Sequence, residues 1–267
     1  MHRVLLIASI AVLAGLSSAA LLAEDAAPPA LFRAVDCECT YPGHLQGVCA
    51  DARGNIYWSF TDVLVKTDVD GKIGKRVDVA SHHGDLCLHD GRVYVAVNLG
   101  EFNKPAGHAD SWIYVYDADS LAETSRHAAQ QVVHGAGGIA CDGQRFIVVG
   151  GLPPGASENY LYEFDMELQY CKRHVLDSGY TLMGIQTAAF DDGQWWFGCY
   201  GVPKVVLRAD NGLALNGRWT FDASLGIVPL GDDRFLIGSN SRPSDRKHVG
   251  HLRPATVDSK QGLRLVK

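Results

Sequence analysis

Residues 86–94 read Leu86-Cys87-Leu88-His89-Asp90-Gly91-Arg92-Val93-Tyr94, so an Asp-Gly pair separates two short apolar runs. An Asp-Gly pair in this setting is a strong short-range signal for a β-hairpin. Related patterns of strand, turn and strand recur at residues 47–57, 138–146, 188–196 and 228–235. The five copies are 38, 53, 49 and 40 residues apart when they are aligned on Val48, Leu86, Ile139, Ala188 and Val228. A period near 45 residues predicts one β-propeller blade per repeat.

A second turn, built on an aspartate, follows each of these hairpins. The turn aspartates are spaced 49, 48, 45 and 48 residues apart: Asp68, Asp117, Asp165, Asp210 and Asp258. An alternating apolar run precedes the turn in the first four repeats, as in Val63-Leu64-Val65, and this indicates a second hairpin. Two hairpins per repeat give four strands. We therefore predict an all-β, single-domain β-propeller of five four-stranded blades over residues 24–267.

The hairpin at residues 49–57 has the pattern apolar-x-Asp-x-x-Gly-x-Ile/Val-Tyr. In this pattern the chain resembles the broad propeller group that contains gluconolactonase-like and NHL-type repeat proteins. The resemblance covers most of the chain and implies the architecture. Gluconolactonase-like members use a Glu/Asn/Asp metal set that has no match on these repeats, so their chemistry is not carried over. Either residues 33–36 or residues 263–266 are expected to complete the last blade.

The first 23 residues resemble an export signal, because Arg3 precedes an uncharged run that ends in small residues before Glu24 and Asp25. We expect cleavage after Ala20 or Ala23, no membrane association afterwards, and a periplasmic or extracellular location. Removing Arg3, the only charged residue of this segment, changes the formal net charge from -6 to -7. A mildly acidic chain offers no basic surface for nucleic acid, so nucleic acid is excluded as a partner.

In a propeller, the loops that enter the first strand of each blade emerge on one face, around the central axis. Histidines recur at this place in three consecutive blades, as His44, the pair His82 and His83, and His134. We predict that His44, His83 and His134, with His82 as a substitute for His83, bind a divalent metal ion or act in acid–base catalysis. The alternative is that these histidines only form hydrogen bonds to the backbone of neighbouring blades.

Other polar and aromatic residues on the same face suit a hydroxyl-rich or acidic ligand. We predict substrate binding by Gln46, Asp85, Asn98, Lys104, Glu158, Tyr180, Gln186 and Arg242. The predicted function is an exported enzyme, a hydrolase or lyase, that acts on a carbohydrate or hydroxy-acid. The alternatives are a propeller that binds a glycan or protein without catalysis, and a glycosidase that uses an acid pair formed by Asp85 and Glu158.

Three further patterns receive a structural interpretation. Residues 135–138, Gly135-Ala136-Gly137-Gly138, lead into a strand and not a helix, so we expect no nucleotide cofactor. The turn at Asp68 lacks the remaining ligands of a calcium loop, and we assign it to hairpin formation. Trp195 and Trp196 point to opposite faces of one strand, so both are expected to pack between blades. The oligomeric state is left open.

Overall fold

The computed structural model describes residues 31–245 and 247–266, and the predicted signal peptide lies outside them. The described residues form 21 strands and no α-helix. Within this part of the chain, no helix is long and apolar enough to cross a membrane. Five antiparallel sheets are arranged as a five-bladed β-propeller, which confirms the predicted fold class.

Each of the first four blades is a four-stranded meander in chain order. Blade 1 contains β2 (Leu45–Ala50), β3 (Ile56–Phe60), β4 (Val63–Thr67) and β5 (Ile73–Asp78). Blade 2 contains β6 (His83–His89), β7 (Arg92–Asn98), β8 (Ser111–Asp117) and β9 (Glu123–Ala128). Blade 3 contains β10 (Ala136–Cys141), β11 (Phe146–Gly150), β12 (Asn159–Phe164) and β13 (Tyr170–Leu176). Blade 4 contains β14 (Leu182–Asp191), β15 (Gln194–Tyr200), β16 (Val205–Asp210) and β17 (Leu215–Thr220).

Blade 5 is closed by both end segments of the described chain. It contains β18 (Ile227–Pro229), β19 (Arg234–Ser244), β20 (Lys247–Asp258), β21 (Gly262–Leu265) and β1 (Val35–Asp36). Both β21 and β1 pair with the same edge of β20: Leu265 lies opposite Ala255, and Val35 lies opposite Leu252. The two candidates that the sequence offered for the last outer strand therefore share that place.

The hydrophobic core is divided among the five interfaces between blades. The first strands of neighbouring blades contact one another around the axis, and one cluster of buried apolar side chains fills each interface. Trp195 belongs to the cluster between blades 3 and 4, whereas Trp196 belongs to the cluster between blades 4 and 5. This confirms the predicted packing of the tryptophan pair, which follows from the two-residue period of a strand.

The recurring aspartates stabilise the turn between the third and fourth strand of each blade. In each turn one carboxylate oxygen accepts a hydrogen bond from a backbone N–H two to four residues further along. At Asp68, for example, Oδ1 accepts from Asp70 N at 2.9 Å and from Lys72 N at 3.0 Å. A side chain that bonds to the backbone just ahead of it favours a tight turn. The hairpin interpretation of the Asp68 turn is confirmed.

Candidate functional site

A cavity of about 320 Å³ lies where the first strands of blades 1 to 4 begin. Residues on the first strands, or directly before them, form most of its wall. Phe102, from a loop of blade 2, and Tyr200, the last residue of β15, complete it. The lining residues are His44, Gln46, His82, Gly84, Phe102, Ala136, Gly137, Met183, Gln186 and Tyr200. These ten described residues include no Asp, Glu, Lys or Arg. The cavity volume is at the small end of the range for ligand pockets in proteins.

Gln46 joins two histidines at one side of the cavity. Its side-chain nitrogen Nε2 lies 2.9 Å from His44 Nε2 and 3.1 Å from His82 Nε2. The same nitrogen lies 3.2 Å from Thr61 Oγ1. An amide nitrogen carries two hydrogens, and the two ring nitrogens are its nearest acceptors, so it donates one hydrogen bond to each ring. A neutral imidazole that accepts at Nε2 carries its proton at Nδ1. Among the described residues, neither His44 nor His82 has a hydrogen-bond partner at Nδ1, so both N–H groups are available to a ligand.

Burial keeps the His44 imidazole neutral. The pKa of His44 is lowered to about 4, first because the ring is removed from water and then because His82 and His248 lie nearby. The ring centroids of these two neighbours lie 6.5 Å and 6.1 Å from that of His44. Partial burial also lowers the pKa of His82, although its side chain is exposed at the mouth of the cavity. Near pH 7 this side of the cavity is polar but uncharged.

The opposite side of the cavity is apolar and comes from three places in the chain. Phe102 belongs to the loop of residues 98–110 in blade 2, while Met183 and Tyr200 belong to blade 4. Burial raises the pKa of Tyr200 to about 12, and nearby Asp222 adds to the effect, so the phenol keeps its proton at neutral pH. The cavity thus places aromatic and thioether surface opposite hydrogen-bonding groups, an arrangement that suits a ring with polar substituents.

The glycines of residues 135–138 allow the loop of residues 98–110 to lie on blade 3. A Cβ atom on Gly135 would lie 2.6 Å from Phe102 Cδ2, and one on Gly137 would lie 3.3 Å from Phe102 Cζ. Asn103 fixes the loop there: its N–H donates to His134 O at 2.9 Å, and its Oδ1 accepts from Leu152 N at 3.0 Å. Close approach of another segment therefore explains these glycines.

Asp85 lies on the central axis below the cavity and is 1% exposed. Its Oδ2 accepts a hydrogen bond from Ala188 N of blade 4 at 2.9 Å, and the N–H groups of Val48 and Leu86 lie close enough to the carboxyl to oppose the rise in its pKa. Burial raises the pKa of this carboxyl well above its usual value, although the three N–H donors oppose that shift. Asp85 thus connects blades 1, 2 and 4 and is not among the residues that line the cavity.

Two of the three histidines predicted to be catalytic lie outside the cavity lining. His83 is fully buried, with Nδ1 2.5 Å from Ala80 O and Nε2 2.8 Å from the hydroxyl of Tyr116. His134 stacks on Tyr160 and has Nδ1 2.8 Å from Lys104 O. The backbone and tyrosine contacts of these two rings match the structural alternative that the sequence left open. The histidines brought together are His44 and His82, and catalysis by any of them stays a prediction.

Two of the eight predicted substrate-binding residues line the cavity. These are Gln46 and Gln186, whereas Asp85 is buried near the central axis and accepts a hydrogen bond from Ala188 N. Asn98 is buried and holds its own loop, since Nδ2 donates to Gly100 O and Oδ1 accepts from Asp110 N, both at 3.0 Å. The other four side chains are exposed and do not belong to the lining: Lys104, Glu158, Tyr180 and Arg242.

Within the described residues, no group of three or more His, Cys, Asp and Glu side chains has the arrangement of a metal site. The point between His44 and His82 is occupied by the Gln46 amide nitrogen. A metal ion bound by both rings at Nε2 would have to displace this amide, because metal–nitrogen bonds are near 2 Å. The divalent metal stays a prediction.

Two lining residues and one neighbour of His44 were missed by the sequence-based prediction. Phe102 is a single aromatic residue in a polar loop, and Met183 follows a loop that was expected to contribute through Tyr180 instead. His248, which lowers the pKa of His44, comes from β20 of blade 5. Of these three residues, Phe102 could have been predicted from the sequence, because an apolar ring in a long polar loop needs a place to be buried.

Comparisons with known proteins assign no family. No protein-family model matches the chain, and no curated protein matches it. Among solved structures, the crystal structure of the computationally designed Ika4 protein has a TM-score of 0.39 and 11% sequence identity, covering 70% of this chain and 96% of that chain. A likeness at this level carries no argument about function, so the function has to be inferred from the cavity itself.

Proposed function

We propose that the protein reversibly binds a small, uncharged, oxygen-rich ring, such as one sugar or sugar lactone. The ring binds in the cavity that is lined by blades 1, 2, 3 and 4. The observation that carries this proposal is the His44–Gln46–His82 cluster, in which one amide orients two neutral imidazoles and leaves an N–H on each. Such donors bind hydroxyl, ether and carbonyl oxygens.

Two further properties of the cavity favour this class of ligand. Phe102, Met183 and Tyr200 offer an apolar surface to the C–H face of a ring. No cation belongs to the described lining, so the carboxylate of a hydroxy-acid would be desolvated without a counter-charge. We therefore favour an uncharged sugar or lactone over a hydroxy-acid.

The proposal is tested by isothermal titration with the methyl pyranosides of glucose, galactose, mannose and N-acetylglucosamine, and with gluconolactone. At least one is expected to bind, and His44→Leu and Gln46→Leu are each expected to weaken that binding by about three- to tenfold, the value of one hydrogen bond. His134→Ala is the matched control, since His134 is not a lining residue, and its affinity should stay within about twofold of wild type. Equal weakening by His134→Ala, or no binding by the whole panel, would contradict the proposal.

A second candidate function is acid–base catalysis on the bound ring, with His44 as the base. Nδ1 of His44 carries the proton in the tautomer described above, so His44 accepts a proton from a ligand hydroxyl only if its Nε2 leaves the Gln46 amide. Proton NMR of each ligand during a day of incubation separates the two candidates. Recovery of unchanged ligand supports binding alone, whereas a product that wild type forms and His44→Leu does not form supports a hydrolase or lyase.

A further inference from the structure

An exposed apolar surface continues from the cavity wall onto the outside of blade 4. It consists of Tyr180, Leu182 and Val202, whose exposed fractions are 43%, 45% and 101%. We call these three residues the apolar ledge. Single exposed apolar residues are ordinary on protein surfaces, but a group of them beside a cavity indicates a binding surface.

The ledge is joined to the cavity by strand pairing. Leu182, the first residue of β14, lies opposite Tyr200, the last residue of β15. Tyr200 lines the cavity, and so does Met183, which directly follows Leu182. Val202 lies in the bend that follows β15, directly after Gly201, and a Cβ atom on Gly201 would lie 4.0 Å from Leu182 Cβ. Apolar surface therefore extends from the cavity wall to the ledge without a polar residue between Tyr200 and Leu182.

One pair of charged groups next to Val202 in the chain is neutralised internally. Lys204 Nζ lies 2.6 Å from Asp222 Oδ2, so this pair offers no unpaired charge to a ligand. The other side of the cavity is polar, with His82 exposed at the mouth. A ligand larger than the cavity thus meets an uncharged apolar surface on one side only, and its remaining atoms would gain most by lying there.

We propose that the ligand of the cavity carries an apolar tail, alkyl or aryl, which lies on the apolar ledge while its ring occupies the cavity. This inference rests on the proposed function. The occupant is the ligand's own tail because the cavity, at about 320 Å³, is at the small end of ligand pockets and its wall continues directly into the ledge.

The test compares matched glycosides by isothermal titration on the full chain. The octyl pyranosides of glucose, galactose and mannose, kept below their micellar concentrations, are set against the methyl pyranosides of the same sugars. Burial of two methylenes raises affinity by about tenfold, so the octyl member is expected to bind about tenfold more tightly or better. The double variant Leu182→Asn with Val202→Asn should reduce this gain to about threefold or less and leave the methyl affinity within about twofold of wild type.

Val175→Asn is the matched control. The Val175 side chain is likewise exposed, at 51%, but it lies on the outer strand β13 of blade 3. It should leave the gain from the octyl chain unchanged, which separates a defined tail site from general adhesion of a detergent. Gln46→Leu should weaken the methyl and octyl glycosides by the same factor, because the ring binds in the same way in both.

Each remaining outcome counts against one of the two proposals. Equal affinity for methyl and octyl members, or a gain that survives the ledge substitutions, overturns the tail inference and leaves the ring-binding proposal standing. No binding of either member overturns both. If sedimentation shows a dimer that the ledge substitutions dissociate, a second copy of the chain occupies the ledge, and the tail inference is overturned.

Discussion

His82 and His83 are adjacent in the chain, yet they belong to two regions of the molecule with different chemistry. His82 lies in the cavity with His44 and Gln46, and its Nδ1 has no partner among the described residues. His83 is fully buried, with both ring nitrogens in hydrogen bonds to the protein. Asp85 belongs to the same buried region.

The difference shows that polar residues at one end of a propeller have two roles, which are to stabilise the fold and to bind a ligand. In the buried region His83 and Asp85 have protein partners, because an unpaired buried group is costly. Substitutions there are expected to lower stability. In the cavity, ring N–H groups are left for a ligand, so substitutions there are expected to lower affinity and to spare the fold.

The largest effect is expected for Asp85→Leu. This change leaves Ala188 N of blade 4 without its acceptor and removes the carboxyl that faces N–H groups of blades 1 and 2, and it should lower the free energy of unfolding by about 3–5 kcal/mol. Asp85→Asn keeps one oxygen acceptor and should cost clearly less. Urea denaturation at pH 7 measures both, and a loss below about 1 kcal/mol for Asp85→Leu would show that Asp85 does not hold the blades together.

The second expected effect is a loss of stability in acid that originates in His83. Burial lowers the pKa of His83 from 6.5 to about 4, so the unfolded chain takes up the proton first as the pH falls. The stabilisation is complete above about pH 6.5 and is lost as the pH falls toward 4, which amounts to about 2 kcal/mol at pH 5.

Denaturation curves at pH 7 and pH 5 measure this loss. His83→Leu cannot titrate, so the difference between its two curves should be smaller than that of wild type by this amount. The remaining acid dependence includes His44, whose pKa is also lowered to about 4. An unchanged pH dependence in His83→Leu would show that His83 is not the group responsible.

A third effect, a difference in stability between two glycine variants, is expected where the loop of residues 98–110 lies on blade 3. Gly135 and Gly143 both have positive φ angles, of 98° and 85°, so alanine is strained at either position. Only Gly135 is crowded, by Phe102, whereas a Cβ on Gly143 meets nothing within 4 Å. Gly143→Ala should cost about 1 kcal/mol, and Gly135→Ala about 1–2 kcal/mol more.

The same pair of variants also distinguishes an effect on ligand affinity from an effect on stability. Gly135→Ala should weaken ligand binding because it displaces Phe102 from the cavity wall, while Gly143→Ala should bind as wild type does. Titration with the best ligand of the panel, together with urea denaturation, checks both expectations. Equal stability and equal affinity of the two variants would show that Phe102 does not depend on Gly135.

The smallest change in stability is expected for His82→Ala. His82 is exposed at the mouth of the cavity, so the free energy of unfolding should stay within about 0.5 kcal/mol of wild type. Ligand affinity should nevertheless fall about threefold or more through the lost N–H donor. A large loss of stability would remove the contrast with His83, and urea denaturation beside titration measures both quantities.

The sequence was sufficient for the fold because its signals are local and repeated. Each aspartate turn needs only a carboxylate and the backbone just ahead of it, as at Asp68, and five such turns at nearly equal spacing determine the number of blades. The opposite faces of Trp195 and Trp196 follow in the same way from the two-residue period of a regular strand.

The cavity could be predicted only in part because the first strands are irregular where they begin. Pairing shifts register between His83 and Leu86 in β6, and between Leu45 and Gly47 in β2. Such bulges change which side chain faces the axis, so the choice between His82 and His83 could not be made from spacing. The position of Phe102 depends on where its long loop folds over, which no local pattern encodes.

The shared edge of β20 makes the chain suitable for circular permutation. Along this edge Leu265 lies opposite Ala255, Val266 N donates to Pro254 O, and Val35 lies opposite Leu252. Residues 262–266 and 35–36 therefore follow one another in line, as a single outer strand with one missing link. A short linker from residue 266 to the segment before residue 35 should close the polypeptide into a circle. The circle could then be reopened at the uncrowded turn around Gly143, giving a circularly permuted chain with the same five blades.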